Sequence, residues 1–571
     1  MSARPTPLHL RFLGLAMAVV LLFGALLLVT RRNADDRVEP TGQGASTDGG
    51  ARDGESPGGT ASSPPPVPLD DDQPPLDAAA AMVLLTDVAA AQDAGAALLV
   101  EAAALLADTT WGGLDRVASD DVRSRPVYVV DAVVAPDRRH VDATVLIAVA
   151  PPGSADASMV LRFLPGASAV TDAGSVPDVR VTVDGLPVDH VLDGDGARLV
   201  VTSDRLADTD GPPLLLRVEV GYDVPDRRTI VDDGGPAGFG LLAWNPDMTM
   251  LGHFVPLLTF EDGAMIPWGD VGSFPVAAWS VVLDHPGVAV TGGAETDCPQ
   301  PRDGCVWARG LTLRDLAIAV YDDAVTVSED DGVRAIGSSR SLSASTADTI
   351  VAESLAARDV LTDLFGALPW PDIDVVLAPL TSGAAGMEFP GLYILRTDTA
   401  GSLGGGFGTY VAAHEVAHQW FHAYLGNGSL GSPVVDESLA QYASYLFFAD
   451  EYGEGAASNL ATRYYGDRYR GWRQSGGKDV APAASLADFG SNDVYGPMVY
   501  ARGALAWIAA EQAIGRDVVV GFVRSLVADH GLSEVDVTAV VQAADLWSMD
   551  LADVLRRWWI DPTPIPLEDV P

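Results

Sequence analysis

The pentapeptide His414-Glu415-Val416-Ala417-His418, taken together with Glu437, constrains this chain more than any other feature. Two histidines four residues apart on a helix project from one face, about one turn apart, so both imidazoles can reach a single metal ion. The glutamate beside the first histidine is then placed to hold and deprotonate a water on that ion. Eighteen residues separate His418 from Glu437, room for the first helix to end and a second to bring in a third ligand. Two imidazoles, one carboxylate and an open fourth position make the pattern of a catalytic zinc site, whereas a structural site closes its shell with cysteines. Histidines serving packing alone fit the surroundings poorly. The segment Tyr410 to Tyr424 is rich in Ala, Val, Trp, Phe and Tyr, as expected of a helix buried beneath an active-site floor. Polar groups there are costly unless something pairs with them, and zinc is the obvious partner.

Two further segments carry weaker signals. Gly383-Ala384-Ala385-Gly386-Met387-Glu388-Phe389-Pro390-Gly391 lies between strand-like runs Ile373 to Leu377 and Leu392 to Leu395. Glycines flanking a strand edge let an extended peptide approach the backbone closely, and a carboxylate there could bind a free amino terminus. Read alone, Gly-Met-Glu is equally any turn. Further on, Val499-Tyr500-Ala501-Arg502-Gly503-Ala504 opens an Ala- and Leu-rich helical stretch. A tyrosine hydroxyl near the zinc can donate to the oxyanion formed when water attacks a carbonyl; Tyr495 competes for that role, and an ordinary half-buried aromatic is the plainer reading of either.

Together these residues resemble the M1 family of zinc aminopeptidases, the gluzincins typified by aminopeptidase N and leukotriene A4 hydrolase. His414 to Phe421 looks like the family's metal helix, and Asp436-Glu437-Ser438-Leu439-Ala440 like its third-ligand helix at the family's spacing. Gly386-Met387-Glu388 stands where the family carries its G-x-M-E-N exopeptidase motif, and Tyr500 in Tyr-x-Arg-Gly matches its transition-state tyrosine. The resemblance covers roughly residues 120 to 560. It implies an α+β chain, a largely antiparallel β domain followed by a mainly helical, thermolysin-like catalytic domain. It also implies one zinc ion held by His414, His418 and Glu437. Glu415 is then the general base, Tyr500 the oxyanion donor, and Gly386, Met387 and Glu388 the substrate-binding segment. Phe389 departs from the motif's asparagine, and Asp436-Glu437-Ser438 departs from the common Asn-Glu-Gly. The sequence runs only a little beyond Trp558-Trp559-Ile560, where the resemblance places the end of the catalytic domain, so the C-terminal helical domain of longer members is expected to be missing and the cleft more open.

The rest of the chain supplies context. A formal net charge of −43 excludes nucleic acid and anionic lipid as partners, because both are repelled. Basic charge is almost all arginine, with Lys478 the single lysine. Phe12 to Thr30 is an uncharged apolar run of nineteen residues, about 28 Å as a helix and enough for a bilayer core. No A-x-A site and no cysteine follow it, so a signal anchor in residues 1–32 is favoured over a cleaved signal peptide. Residues 33–75 are Gly, Pro, Ser, Thr and Asp with almost no large apolar side chain, a disordered tether. Residues 76–118 read as helical, 119–317 as β, 318–562 as the catalytic domain and 563–571 as a tail. The strand-like runs are Val127 to Val134, Val141 to Val149, Met159 to Phe163, Val179 to Val183 and Leu214 to Tyr222. From about Arg314 onward helical signals take over, with Ser345 to Phe365 the clearest helix. Cys298 and Cys305, seven apart, are either a small extracytoplasmic disulfide loop or two thiols in a turn. The tether and the cysteine pair together favour a single-pass cell-membrane protein with its catalytic domain outside the cytoplasm.

The expected activity is hydrolysis of peptides with a free amino terminus. An endopeptidase using the same zinc chemistry, and a non-catalytic surface binding protein on the same fold, are the alternatives.

Overall fold

The computed structural model describes residues 125–570 apart from 168–176, 194–195, 209–213, 227–238, 297–303 and a few shorter gaps. The expected membrane anchor, tether and helical segment at 1–118 lie outside the described residues. Among the described residues, no helix is long and apolar enough to cross a membrane.

The first half is built from strands. An eight-stranded sheet runs in the order Ala294–Thr296, Cys305–Leu313, Ala277–Asp284, Val127–Val134, His140–Val149, Leu214–Asp223, Asp178–Val183, Leu186–Pro187. Its pairs are antiparallel except Val127–Val134 with Ala277–Asp284, which run parallel. Alternation drives the packing: Val141, Ala143, Val145 and Ile147 all face the β core, as a period of two requires. Tyr128 and Trp279 are register partners across the parallel pair and stack at 4.0 Å, a cross-strand contact that fixes register. Cys305, at the start of its strand, is disulfide-bonded.

The switch to helix comes later than the sequence suggested. Instead of helix from Arg314, three more strands follow: Ala317–Tyr321, Val325–Asp330 and Val333–Ser338. They are Val- and Ile-rich with a hairpin turn at Asp331-Gly332, where both residues have positive φ. Only then does helix α1, Ala344–Phe365, begin, capped by the Ser343 hydroxyl accepting from the Thr346 N–H.

Val325–Asp330 and Val333–Ser338 belong to a five-stranded sheet, continued by Ile373–Ala378, Leu392–Arg396 and, at the edge, Gly386–Phe389. This sheet lies between two cores. Ile336, Val376, Ile394 and Phe389 pack into the β core, while Ala335, Val375, Leu377, Tyr393 and Leu395 pack into the helical core. Alternation then decides where Glu388 faces. Its neighbours Met387 and Phe389 pack toward the β side, and its register partner is Tyr393. Glu388 therefore faces the helices. Besides α1, those helices include α2, Phe407–Ala417, and α3, Val434–Glu451; further helices run on to Leu555.

Candidate active site

Helix α2 is shorter than the apolar segment that contains it. It ends at Ala417 with His418 as its C-cap, and the chain turns through Gln419 to Leu425 rather than continuing as helix to Tyr424. Both histidines still project from the same last turn. Glu437 enters from the first turn of α3, where a helix N-terminus favours a carboxylate.

The three side chains converge. His414 Nε2 lies 3.3 Å and His418 Nε2 3.6 Å from Glu437 Oε2, and the two imidazole nitrogens are 3.1 Å apart. Around a zinc ion with bonds near 2.0–2.1 Å, tetrahedral ligands sit about 3.3 Å from one another. His418 Nδ1 is 2.8 Å from the Phe421 carbonyl; Nδ1–H donates to that oxygen, which leaves Nε2 as the bare ligand nitrogen. Glu437 Oε2 is buried and faces only the two imidazoles. Burial works to raise the Glu437 pKa, but hydrogen bonds and charge from His414 and His418 prevail and hold it down to about 2. Two imidazole nitrogens and an ionised carboxylate, buried and converging, fit zinc.

Glu415 sits beside this set, 4 % exposed, with Oε2 unpartnered. Burial, then the neighbouring Glu388 charge, pushes its pKa well above the usual carboxylate range. Gly386 makes room for it, since a Cβ at 386 would overlap the Glu415 carboxylate. The glycine of Gly386-Met387-Glu388 thus seats Glu415. Met387 and Glu388 line a cavity just large enough for a water-sized group.

Tyr500 donates its hydroxyl to Glu437 Oε1, and its ring lies 6.1 Å from that of His414. Tyr495, the competing candidate, packs edge-on to Tyr500 at 5.6 Å instead. Tyr500 stands in a π-helical turn, Pro497–Gly503, of the kind that recurs at functional sites. Arg502 holds that turn in place. Fully buried, it pairs with Asp479 at 2.9 Å and donates to the carbonyls of Trp558, Arg557 and Asp561.

Gln419 braces the edge strand. Its amide donates to the Phe389 carbonyl at 2.9 Å, and its oxygen accepts from Gly391 N–H at 2.8 Å and Trp370 Nε1 at 3.1 Å. Phe389, where the resemblance called for asparagine, is fully buried against His253 at 5.2 Å. Its backbone carbonyl stays engaged whatever the side chain.

Sequence reading missed the other wall of the cavity. Besides Met387 and Glu388 it is lined by His253, Asp270, Asp315 and His422. His422 Nδ1 lies 3.8 Å from Asp436 Oδ2 and 4.0 Å from Glu388 Oε1. Burial alone would lower its pKa; Asp436, then Glu388, Asp270 and Asp315, raise it to about 9. Its φ of 138° is a conformation that favours glycine, and such strain collects at functional sites. A histidine only four positions after His418 was the available signal. Asp270 and Asp315 had none, since each comes from a loop far away in sequence.

Residues 362–558 match the peptidase family M1 domain. No curated protein matches the sequence. The fold is similar to that of an M1 zinc metallopeptidase from Deinococcus radiodurans, at 21% identity and a TM-score of 0.57, covering 78% of this chain and 96% of that one. A variant form of that enzyme has been solved bound to the substrate Tyr-Ser-Ala, at 20% identity, a TM-score of 0.54 and the same coverage. The yeast leukotriene A4 hydrolase is similar at 13% identity and a TM-score of 0.56, over 77% of this chain and 69% of that one. The family match spans both histidines, Glu437 and Tyr500, so residues 362–558 are an M1 peptidase domain, and the protein is a peptidase with a zinc cofactor.

Proposed function

We propose that this peptidase is an aminopeptidase that removes residues from the free amino terminus of peptides. The observation that carries the reading is the cavity beside Glu415. Asp270, Glu388 and His422 bring donor atoms within 4.8 Å of one another there. A primary ammonium is about the size of a water and brings three donors, and Glu388 and Asp270 offer it acceptors in a buried setting. A cavity that holds a single ammonium and no further chain sets the cut at the first residue. The tripeptide bound by the Deinococcus enzyme supports peptides as the substrate class.

His414, His418 and Glu437 would hold the zinc. Zinc, when bound, supplies Lewis acidity that lowers the pKa of a water and polarises a carbonyl. Glu415 takes the proton of the attacking water and returns it to the leaving amine. Its raised pKa favours keeping that proton until the amine needs it. Tyr500 donates to the oxyanion that develops only in the transition state. Glu388 anchors the amino terminus, and Gln419 keeps Glu388's strand at a fixed distance from Glu415.

The test compares aminoacyl anilides and peptides with their N-acetylated forms. Free-amine substrates are expected to be cleaved at least about 100-fold more efficiently; equal cleavage of blocked peptides would remove the aminopeptidase assignment and leave the endopeptidase. The apolar run Phe12 to Thr30 and the polar segment after it support a membrane-anchored enzyme with its catalytic domain outside the cytoplasm. Protease added to intact cells should then release the large domain.

A further inference from the structure

In so acidic a chain, an unpaired cation is informative. Asp and Glu number 78 against 35 Lys and Arg, so an arginine has carboxylates to spare. Buried or half-buried arginines take them: Arg502 pairs with Asp479, Arg516 with Glu454 and Glu511, and Arg334 with Asp374. Arg468 does not. Among the described residues it forms no ion pair, and its guanidinium carbon lies 5.6 Å from the centroid of the Tyr500 ring.

The surroundings leave it room. Arg468 is exposed, in the first turn of the helix Asp467–Gln474. A Cβ at Gly496 would collide with the guanidinium, so the glycine there lets Arg468 lie close over the catalytic turn. Beside it runs an aromatic wall. Tyr410 is 6.3 Å from the His414 ring, Tyr464 stacks on Tyr410 at 4.8 Å, and Phe407 packs on Tyr464 at 5.7 Å. Arg463, also without an ion pair among the described residues, lies 5.6 Å from the Tyr464 ring. The two recognition features approach different members of the donor set. Glu388 groups with His418 and Glu415, whereas Tyr500, beneath Arg468, touches Glu437 and His414.

We infer that Arg468 forms a carboxylate-binding subsite that receives the free C-terminus of a short peptide, so that the enzyme selects tripeptide-sized substrates by reading both ends. This rests on the aminopeptidase reading for the placement of the amino terminus. In an extended tripeptide cut after its first residue, the terminal carboxylate lies roughly 7 Å from the scissile carbonyl. A guanidinium one ring away from the His414 imidazole is in reach of it. A planar fork of donors matches a carboxylate bidentately. The chain's net negative charge otherwise works against a peptide's carboxylate, so this patch also sets which way round a short peptide enters.

The test uses a tripeptide with a free C-terminus, the same tripeptide amidated, and an aminoacyl anilide with no carboxylate. Kinetics are measured on the zinc-loaded parent, Arg468→Gln and Arg468→Lys. Calorimetric binding of the two tripeptides is measured in zinc-loaded Glu415→Gln with and without Arg468→Gln. The parent should prefer the acid over the amide by about 10- to 50-fold, a preference weakened by salt. Arg468→Gln should bring the acid down to the level of the amide, cost the anilide much less, and Arg468→Lys should recover part of the loss. Equal handling of acid and amide by the parent would overturn the subsite. So would equal losses on all three substrates in Arg468→Gln, which would mean that the arginine only steadies Tyr500. The acid-to-amide ratio in the binding arm stays decisive even if N-acetylated peptides prove good substrates and the aminopeptidase reading fails.

Discussion

The donor triad and the acidic cavity touch each other but are assembled in opposite ways. His414, His418 and Glu437 come from two helices consecutive in sequence, joined by residues 418–433, and helix periodicity alone puts both imidazoles on one face. The cavity draws Asp270, Asp315, Glu388 and His422 from four separate segments that meet only because the edge strand lies between the β core and the helical core. The triad's charges nearly balance once a divalent ion is bound. The cavity instead gathers three acids, Asp270, Asp315 and Glu388, against His422 and a His253 whose pKa burial pushes down to about 3, and burial also raises the pKa of Asp270 and Asp315. One half is completed by a metal, and the other, on the aminopeptidase reading proposed above, by the substrate's ammonium. Variants on the two sides should therefore fail differently.

The largest effect is expected on the triad side. Glu415→Gln should keep about one zinc per chain by metal analysis yet lower kcat by about 10³-fold or more, because it removes the proton acceptor and spares the ligands. The pH profile follows from the same residue. Burial and Glu388 raise the Glu415 pKa, so it accepts a proton only above that raised value; activity is present above it and lost as pH falls through it. The acid limb of kcat/KM should then lie above the ordinary glutamate value of about 4.3. Glu388→Gln should move that limb down, coupling the two regions; a limb that stayed at the ordinary value in the parent would separate them.

Tyr500→Phe comes next. Loss of one oxyanion donor in a site of this kind costs about 10²- to 10³-fold in kcat, with zinc content and KM changed little. A loss of only a few fold, matched by a similar loss in Tyr495→Phe, would mean that the two rings serve packing.

On the cavity side the signature shifts to KM. Glu388→Ala should raise KM for free-amine substrates and cost roughly 2 to 3 kcal/mol in kcat/KM, about 30- to 150-fold. N-acetylated substrates, poor for the parent, should not worsen further. If kcat fell and KM held, Glu388 would belong with the triad and the division drawn above would collapse.

How much could be read from the sequence follows the same division. The triad was legible because its geometry is local: a spacing of four and a second helix suffice. Strands such as Val127–Val134 and Leu214–Asp223 were legible because Val-rich runs between turn residues have few other solutions. The strands after Arg314 were misread as helix, since Ala317–Tyr321, in a separate four-stranded sheet, and Val333–Ser338, in the five-stranded one, are short apolar runs that do not declare their period. Glu388 was found only through its motif. Asp270 and Asp315 were invisible, because a lone aspartate beside glycine or arginine looks like any turn or ion pair until the sheet order brings it to the site.

Asp270 gives the smallest and most discriminating prediction. It differs from Glu388 in being half-buried and in coming from a loop rather than the edge strand. Burial, with Glu388 and Asp436 beside it, raises its pKa well above the usual carboxylate range. Part of its charge therefore appears only when a cation arrives, and it should contribute less than Glu388. Asp270→Asn keeps the shape and removes one acceptor charge, so KM for free-amine substrates should rise about five- to tenfold with kcat nearly unchanged. Because both carboxylates would hold one ammonium, the double variant with Glu388→Ala should lose less than the product of the two single losses, a coupling that residues sharing a partner show and independent ones do not. Additive losses would mean that the two acids never hold the same group, and that the cavity is an electrostatic feature of the fold rather than a seat for the substrate.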